Sequence, residues 1–584
     1  MGMKGGAVLG KILRYLKHYK LEAALGPLFK MLEALFELFI PLVVADIIDV
    51  GIKNGDKTYI LQRCGIMVLL GLVGLLASVT AQYFSAKAAV GMACELRSAL
   101  FEKIGKLSYA ETDRFGTSTL LSRATSDVNQ IQNTVNLVLR LFLRSPFIVF
   151  GAMIMAFTVS PDAAGVFVIT IPALSLVIFG IMLAGIPLYR RVQGRLDRVL
   201  LLTRENLSGA RVVRAFVHED EAIREYTEST AELTRYQRLS GRISALLNPL
   251  TYVIINLSIL AIVYLGGVQV NVGNLQTGDV IALYNYMSQI LVELIKLANF
   301  IILITKACAC GSRINRVFDA PEGLPVKAKT EEAAHSGVEF CNVSLCYHKD
   351  ADRALNGISF TVAPGETVGV IGGTGSGKTS LINLIPRLYD ASEGAVLVGG
   401  VDVRDQDPAA LRARIGIVPQ KAELFAGTIR SNLLWGCKSA DEQALQNALS
   451  TAQALDFVMK KTGALDAPVE QGGKNFSGGQ RQRLCIARAL VGEPQILILD
   501  DSASALDYAT DASLRAAIAA LPYRPTTFII SQRAASVMHA DKILVLEDGA
   551  TVGLGTHAEL LQSCPVYREI YDSQFGKEEV RING

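Results

Sequence analysis

The sequence predicts an α-helical membrane domain of six transmembrane helices with long cytosolic extensions, followed by a soluble α/β domain. Three observations predict it. Six apolar stretches, each near the ~20 residues that span a bilayer, fill the first half of the 584-residue chain. A segment rich in Pro, Gly and charge (residues 318–335) then breaks the pattern. Beyond Val338, short β runs alternate with helical segments. Composition agrees: 51% of residues are hydrophobic, 19% charged, and the mean hydropathy is +0.34, too apolar for an ordinary soluble enzyme of this length. At this size two or more domains are expected.

The elements follow in order. Residues 1–20 are basic and mixed, without the short apolar core and small-residue cleavage site of a removable signal peptide. Within them, residues 8–20 interleave apolar and basic side chains at helical spacing, an amphipathic elbow helix at the cytoplasmic membrane surface or one packed on protein. Spans are expected near 22–48, 59–84, 134–158, 162–187, 243–269 and 277–305, inside a membrane domain of 21–317. Residues 86–130 and 188–240 are long, helical in pattern and rich in Arg and Lys, whereas 159–161 and 270–276 are short turns without Lys or Arg. Positive segments stay inside, so the protein is expected to be multi-pass in the inner (cytoplasmic) membrane with both termini and the soluble domain cytosolic. The long segments read as membrane helices that continue into the cytosol, with reversals near 109–115 and 208–216, where a short helix could dock on a cytosolic domain. Lys30, Glu33, Glu37, Asp46, Arg140, Arg144, Glu293 and Lys296 fall inside spans. Such groups line a cavity or pair between helices, and Glu33 and Glu37 share one helix face. A linker is expected at 318–337 and the soluble domain at 338–584, with strands near 366–371, 395–398, 415–418, 496–499, 526–530 and 543–546.

Net charge is +3, too small to argue for nucleic acid. The nine cysteines are scattered; Cys308 and Cys310 are two apart and do not make C-x-x-C, so reduced structural thiols are expected. The chemistry lies in the second half. Gly372-Gly373-Thr374-Gly375-Ser376-Gly377-Lys378-Thr379 is a complete G-x-x-x-x-G-K-T loop between a strand and a helix. Its glycines let backbone N–H groups wrap phosphates, Lys378 reaches the terminal phosphates, and Thr379 offers a hydroxyl to Mg²⁺. Ile496-Leu497-Ile498-Leu499 reads as a buried parallel strand ending in Asp500 and Asp501, the way such folds deliver a metal-holding acid to a sheet edge. Together these make an ATP and Mg²⁺ site. In Phe476-Ser477-Gly478-Gly479-Gln480, Ser477 can cap the following helix, whose start is a second anion site. One domain rarely needs two γ-phosphate cradles, so this one is read as serving a nucleotide held by a second copy of the domain.

The ordered set of residues 372–379, Val418-Pro419-Gln420, Phe476 to Gln480, Leu499-Asp500 and Ser504-Ala505-Leu506-Asp507 resembles an ABC-transporter nucleotide-binding domain. With six preceding spans, nearly the whole chain is similar to a half-transporter of the ABC exporter superfamily (type IV fold). The resemblance implies a head-to-tail dimer of nucleotide domains with two ATP molecules between them. It implies that Gly372 to Thr379 and Ser380 surround the phosphates, that Tyr347 stacks on adenine, that Gln420 senses Mg²⁺ and contacts the coupling helices, that Thr379, Gln420 and Asp500 serve the metal, and that Asp507 lies in the loop crossing the dimer. Ser477, Gly478, Gly479 and Gln480 would contact the partner's nucleotide.

Two positions depart from the family pattern. Asp501 stands where Glu usually polarises the attacking water; it is one methylene shorter, which leaves its carboxylate more than ~1 Å short, and a misplaced base forfeits much of its ~10²–10⁴-fold contribution. Gln532 stands where His usually contacts the γ-phosphate; it donates a hydrogen bond but carries no charge. Both changes in one site predict ATP binding with slow hydrolysis. The expectation is therefore a heterodimer with a second half-transporter carrying Glu and His, similar to the degenerate and consensus site pairs of bacterial heterodimeric multidrug exporters, exporting a hydrophobic or amphipathic, drug- or lipid-like substrate. The alternatives are a regulatory ATP-binding subunit that gates a partner and a homodimeric lipid or peptide exporter. No cysteine-peptidase-like segment precedes the spans, which disfavours peptide maturation, and importers usually keep spans and nucleotide domain on separate chains.

Overall fold

The computed structural model describes residues 10–324, 335–347 and 352–576. The first nine residues of the expected elbow helix, residues 325–334 of the expected linker and the last eight residues of the soluble domain lie outside the described residues. The chain forms two compact units. One runs to Ala320 and omits Lys106–Arg114; the other joins Lys106–Arg114 to the chain from Pro321 onward.

The first unit is helical. Residues 10–13 are helical and Arg14–Tyr19 continues as a 3-10 helix, with Ile12 turned inward at 2% exposure. The long helices are α1 (Lys20–Asp46) and α2 (Lys57–Gly105). At 1.5 Å per residue the 49 residues of α2 reach about 74 Å, far beyond a ~30 Å hydrocarbon core. A reversal follows at α3 (Tyr109–Phe115), and α4 (Thr117–Ser122) leads on to α5 (Val128–Leu141) and α6 (Arg144–Val159). The 48-residue α7 (Pro161–Ser208) starts on a Ser160 cap with Pro161 behind it. The second reversal is α8 (Ala210–Ala215), after which α9 (Glu219–Ala245), α10 (Leu247–Val272) and α11 (Thr277–Phe318) complete the unit.

Two expected spans are interrupted. The stretch 134–158 breaks at Phe142 and Leu143, and 243–269 breaks at Leu246. Pro146 and Pro249 each sit three residues into the following helix. Each lacks the N–H that would bond four residues back and crowds that carbonyl. Among the described residues, five helical stretches are long and apolar enough to cross a membrane: Lys57–Gly105, Thr117–Val159, Pro161–Ser208, Glu219–Val272 and Thr277–Phe318. The sixth expected span, α1, is set apart from these by Lys30, Glu33 and Glu37 in its middle.

Those charges are paired. Lys30 Nζ meets Glu33 at 2.5 Å and Ser78 Oγ at 3.1 Å. Arg144, at the start of α6, bridges Glu37 of α1 at 2.6 Å and Glu293 of α11 at 2.7 Å. Ser145 and Lys296 bind the same Glu293 carboxylate at 2.6 and 2.8 Å. Along the same three helices Ala34, Ala152, Ala156 and Ala282 are fully buried. Small residues let membrane helices approach closely enough for such bonds.

The second unit is α/β. A six-stranded sheet has the order β12-β11-β3-β10-β9-β6, formed by Ala550–Gly555, Lys542–Glu547, Thr367–Gly372, Thr526–Ile530, Ile496–Asp500 and Ile415–Val418; its pairings are parallel except β11 with β12. A four-stranded antiparallel sheet has the order β2-β1-β4-β5, formed by Leu355–Val362, Val338–Leu345, Glu393–Val398 and Val401–Asp402. The fully buried run Ile496 to Leu499 is apolar throughout, as a strand covered on both faces requires. β7 (Gly427–Thr428) and β8 (Pro468–Val469) pair separately.

Candidate functional site

Three neighbouring strands deliver the site. β10 lies between β3 and β9, and Ile530 pairs with Val370 on one side and Asp500 on the other. The loop after β3, the acids at the end of β9 and Ser531-Gln532 after β10 therefore emerge together at the carboxyl edge of a parallel sheet, where such folds bind ligands. A cavity of about 360 Å³ opens there. Tyr347, Thr374, Gly375, Ser376, Gly377, Lys378, Thr379, Ser380, Gln420, Asp500, Asp501 and Gln532 all line it, with Ala354, Ile530 and Ser531. Gly372 and Gly373 form the base of the loop.

The loop is held open by backbone geometry. Gly375 and Gly377 have φ of +85° and +94°, a region L side chains avoid. A Cβ on Gly377 would also lie 2.6 Å from the Ala354 carbonyl oxygen. The helix α12 (Lys378–Leu384) begins directly after it. Lys378 is 8% exposed, and its ammonium donates to the carbonyls of Gly372 at 2.9 Å and Gly373 at 2.6 Å and to Ser376 Oγ at 3.3 Å. Burial pushes its pKa down, against the pull of Asp501 and Asp500. Tyr347 donates to Ser380 Oγ at 2.8 Å, and its ring stands edge-on to Tyr389 at 5.0 Å. Tyr389 in turn donates to Asp113 in α3, a segment that belongs to this unit.

The acids differ in setting. Asp500 is 5% exposed and burial raises its pKa, with Asp501 adding to the rise; a hydrogen bond from Thr379 and the charge of Lys378 oppose it. Thr379 Oγ1 lies 3.2 and 3.4 Å from the two carboxylate oxygens. A hydroxyl and a carboxylate converging at this distance suit Mg²⁺, which takes oxygen ligands. Thr379 and Asp500 would hold it, with Gln420 lining the same cavity, and bound there it would neutralise phosphate charge. Asp501 has φ +44°, a strained position for a side-chain-bearing residue. It is fixed by its N–H to the Ile530 carbonyl at 2.9 Å and by Ser504 Oγ donating to its own carbonyl at 2.8 Å. Burial raises its pKa; a hydrogen bond from Gln420 and the charges of Arg533 and Lys378 oppose that rise.

The remaining candidates lie elsewhere. Ser477 accepts from Gln480 N–H at 3.3 Å while Gln480 Oε1 accepts from Ser477 N–H at 3.2 Å, a capping box for α13 (Gly478–Leu490). Ser477 and Gly478 are exposed and do not line the cavity. Asp507 caps α14 (Tyr508–Ala519), accepting from Thr510 N–H and Oγ1 at 2.9 Å each. Its carboxylate is thus engaged within its own helix. The sequence reading missed Tyr389, Ser531 and Ala354. Ser531 directly precedes Gln532 in the chain, whereas Tyr389 and Ala354 carry no local signal, because folding alone brings them beside the motif residues.

Comparison with known proteins agrees with this arrangement. Residues 24–294 match the ABC transporter transmembrane region, and residues 355–504 match the ABC transporter domain. An uncharacterized ABC transporter ATP-binding protein of Bacillus subtilis, YfiB, is 35% identical over 97% of this chain and 99% of its own length. An ATP-dependent lipid A-core flippase of Methylococcus capsulatus is 29% identical over 99% of this chain and 96% of its own. The structure of a bacterial Atm1-family ABC exporter with ATP bound superposes with a TM-score of 0.78 at 24% identity, covering 96% of this chain and 99% of that one, a likeness of fold. The chain therefore belongs to the ABC transporters, with the membrane region and the ATP-binding domain fused on one polypeptide.

Proposed function

We propose that this chain is one half of a heterodimeric exporter that moves a hydrophobic or amphipathic substrate across the membrane by alternating access. Its own phosphate loop and acids bind Mg²⁺-ATP and hydrolyse it slowly, and Ser477, Gly478, Gly479 and Gln480 complete the active site of the partner. The observation that carries this reading is that Asp501 and Gln532 line the same cavity as Lys378 and Thr379, so both departures fall on one nucleotide. The exposed position of Ser477 and Gly478 outside that cavity supports a role toward a nucleotide on another chain. A relative named as a lipid A-core flippase favours a lipid-like cargo among amphipathic substrates.

The chemistry follows from the residues. Lys378 and the loop N–H groups bind the phosphates. Asp501 is the group positioned to accept a proton from the attacking water, and its short side chain and strained backbone limit that role. Steady-state ATPase of the purified chain alone is expected to be low and to rise when it is co-expressed with a partner half-transporter. The double variant Asp501→Glu/Gln532→His is expected to raise the activity of the chain alone by about tenfold or more. Fast, substrate-stimulated ATPase from a homodimer of the unmodified chain would rule the heterodimer out.

A further inference from the structure

A second cavity lies in the membrane unit, remote from the charged centre around Arg144. It measures about 200 Å³ and lies between the N-terminal helix, α5 and α11. Ile12, Leu13 and Leu16 form one wall, Val135 and Leu139 the second, and Ile304 the third. Almost all of its lining is apolar. Leu13 and Phe142, at its rim, are 36% and 48% exposed.

An apolar cavity of this kind stays dry. Left empty, its walls forfeit dispersion contacts. At about 30 Å³ for each water-sized group, it accommodates some six methylene-sized groups, a length of acyl chain. The helix that roofs it is also basic. Arg14 and Lys17 alternate with the lining residues Leu13 and Leu16, and Lys20 follows one turn on. All three are exposed and enter no ion pair among the described residues. Tyr15 and Tyr19, half-buried beside them, suit the boundary between headgroups and hydrocarbon. From this combination we infer that the chain carries a structural lipid-binding site: one acyl chain of an anionic phospholipid enters the cavity, and its phosphate is held by Arg14 and Lys17.

The two halves of the site do different work. A lipid tail is already in an apolar medium, so the cavity gains packing but does not choose among lipids. Choice comes from the headgroup, because basic residues at the cytoplasmic face attract negative charge. The site therefore discriminates by headgroup charge and is anchored by shape. It concerns a lipid held beside the N-terminal helix, and it stands whether or not the exported cargo is a lipid.

The test uses the full-length protein in detergent, with native mass spectrometry counting retained phosphatidylglycerol against phosphatidylcholine. The unmodified chain is expected to retain one phosphatidylglycerol per chain, with a preference of about tenfold over phosphatidylcholine. Ala307→Phe, which fills the cavity from α11, is expected to lose that lipid while still binding ATP. Arg14→Gln/Lys17→Gln, on the surface and without effect on packing, is expected to retain either lipid without preference. Equal retention of the two lipids by the unmodified chain overturns the proposal. So does undiminished phosphatidylglycerol in both variants. If Ala307→Phe fails to fold, the surface variant alone decides: an unchanged preference there overturns the headgroup assignment.

Discussion

Single residues set the character of the nucleotide site, and glycine is the plainest case. Gly377 holds φ at +94° with the Ala354 carbonyl 2.6 Å from where a Cβ would stand. Gly373, in the same loop, has no such neighbour within 4 Å and no positive φ. Gly377→Ala is expected to cost about 1–2 kcal/mol in backbone strain alone, to displace the loop and to abolish binding of a fluorescent ATP analogue. Gly373→Ala is expected to leave thermal stability within about 0.5 kcal/mol of the unmodified protein. Equal losses of stability for the two variants would mean that the loop is not held by Gly377. Asp501 poses the complementary case of a side-chain-bearing residue kept at φ +44°. Its identity and its departure from the family pattern are readable from the sequence, because it follows Asp500 directly. Its strain and its Gln420 contact are products of folding. Tyr389 is the same lesson in stronger form. It stands 42 residues from Tyr347 in the chain, and only the fold brings its ring against the one expected to meet adenine.

At the level of elements, regular patterns were legible and interrupted ones were not. β6 and β10 have the expected bounds, 415–418 and 526–530, because each is a short run rich in β-branched residues. β1 and β2 went unrecognised because bulges shift their register between Phe340 and Val343 and between Val343 and Leu345. A bulge destroys the period of two on which strand recognition rests. The helix breaks at Phe142 and Leu246 have a sequence cause in Pro146 and Pro249, but hydropathy alone averages over them. The ion pairs of α1, α6 and α11 belong to this scale as well. The in-span charges were read as either cavity lining or interhelical pairing, and the structure gives each of Glu33, Glu37 and Glu293 a cationic partner. Their burial is unequal. The Glu293 side chain is 4% exposed and that of Glu37 37%. Glu293→Gln leaves Arg144 with a weakened buried partner and is expected to destabilise by about 3 kcal/mol. Glu37→Gln removes the more exposed of the two Arg144 carboxylates, with Glu293 still in place, and is expected to cost under about 1 kcal/mol. Thermal unfolding of the detergent-solubilised protein checks the order. Equal shifts would mean that the Glu293 carboxylate is solvated in the working protein.

For the whole molecule, the decisive feature is that the phosphate loop and the Ser477 helix start do not share a cavity within one chain. In the assembly proposed above, such a chain contributes to two nucleotide sites through two separate surfaces, and substitutions at each surface report on a different site. In the proposed heterodimer the two reports are unequal. Asp501→Asn alters a base that contributes little, so ATPase of the assembled transporter is expected to change by less than about twofold. Ser477→Arg places a bulky cation at the start of α13, against the partner's nucleotide, and removes the side-chain acceptor of the capping box. It is expected to reduce ATPase by about tenfold or more, since steric displacement at a catalytic centre costs positioning as well as charge. A capping loss alone costs ~1 kcal/mol of helix stability, so Ser477→Ala separates the two causes. Ser477→Ala is expected to keep much of the activity that Ser477→Arg loses. The measurement is steady-state ATPase of each variant chain co-assembled with the unmodified partner. The reverse ranking, with Asp501→Asn inactivating and Ser477→Arg tolerated, would assign hydrolysis to this chain's own site and give Asp501 the role of the base expected at this position.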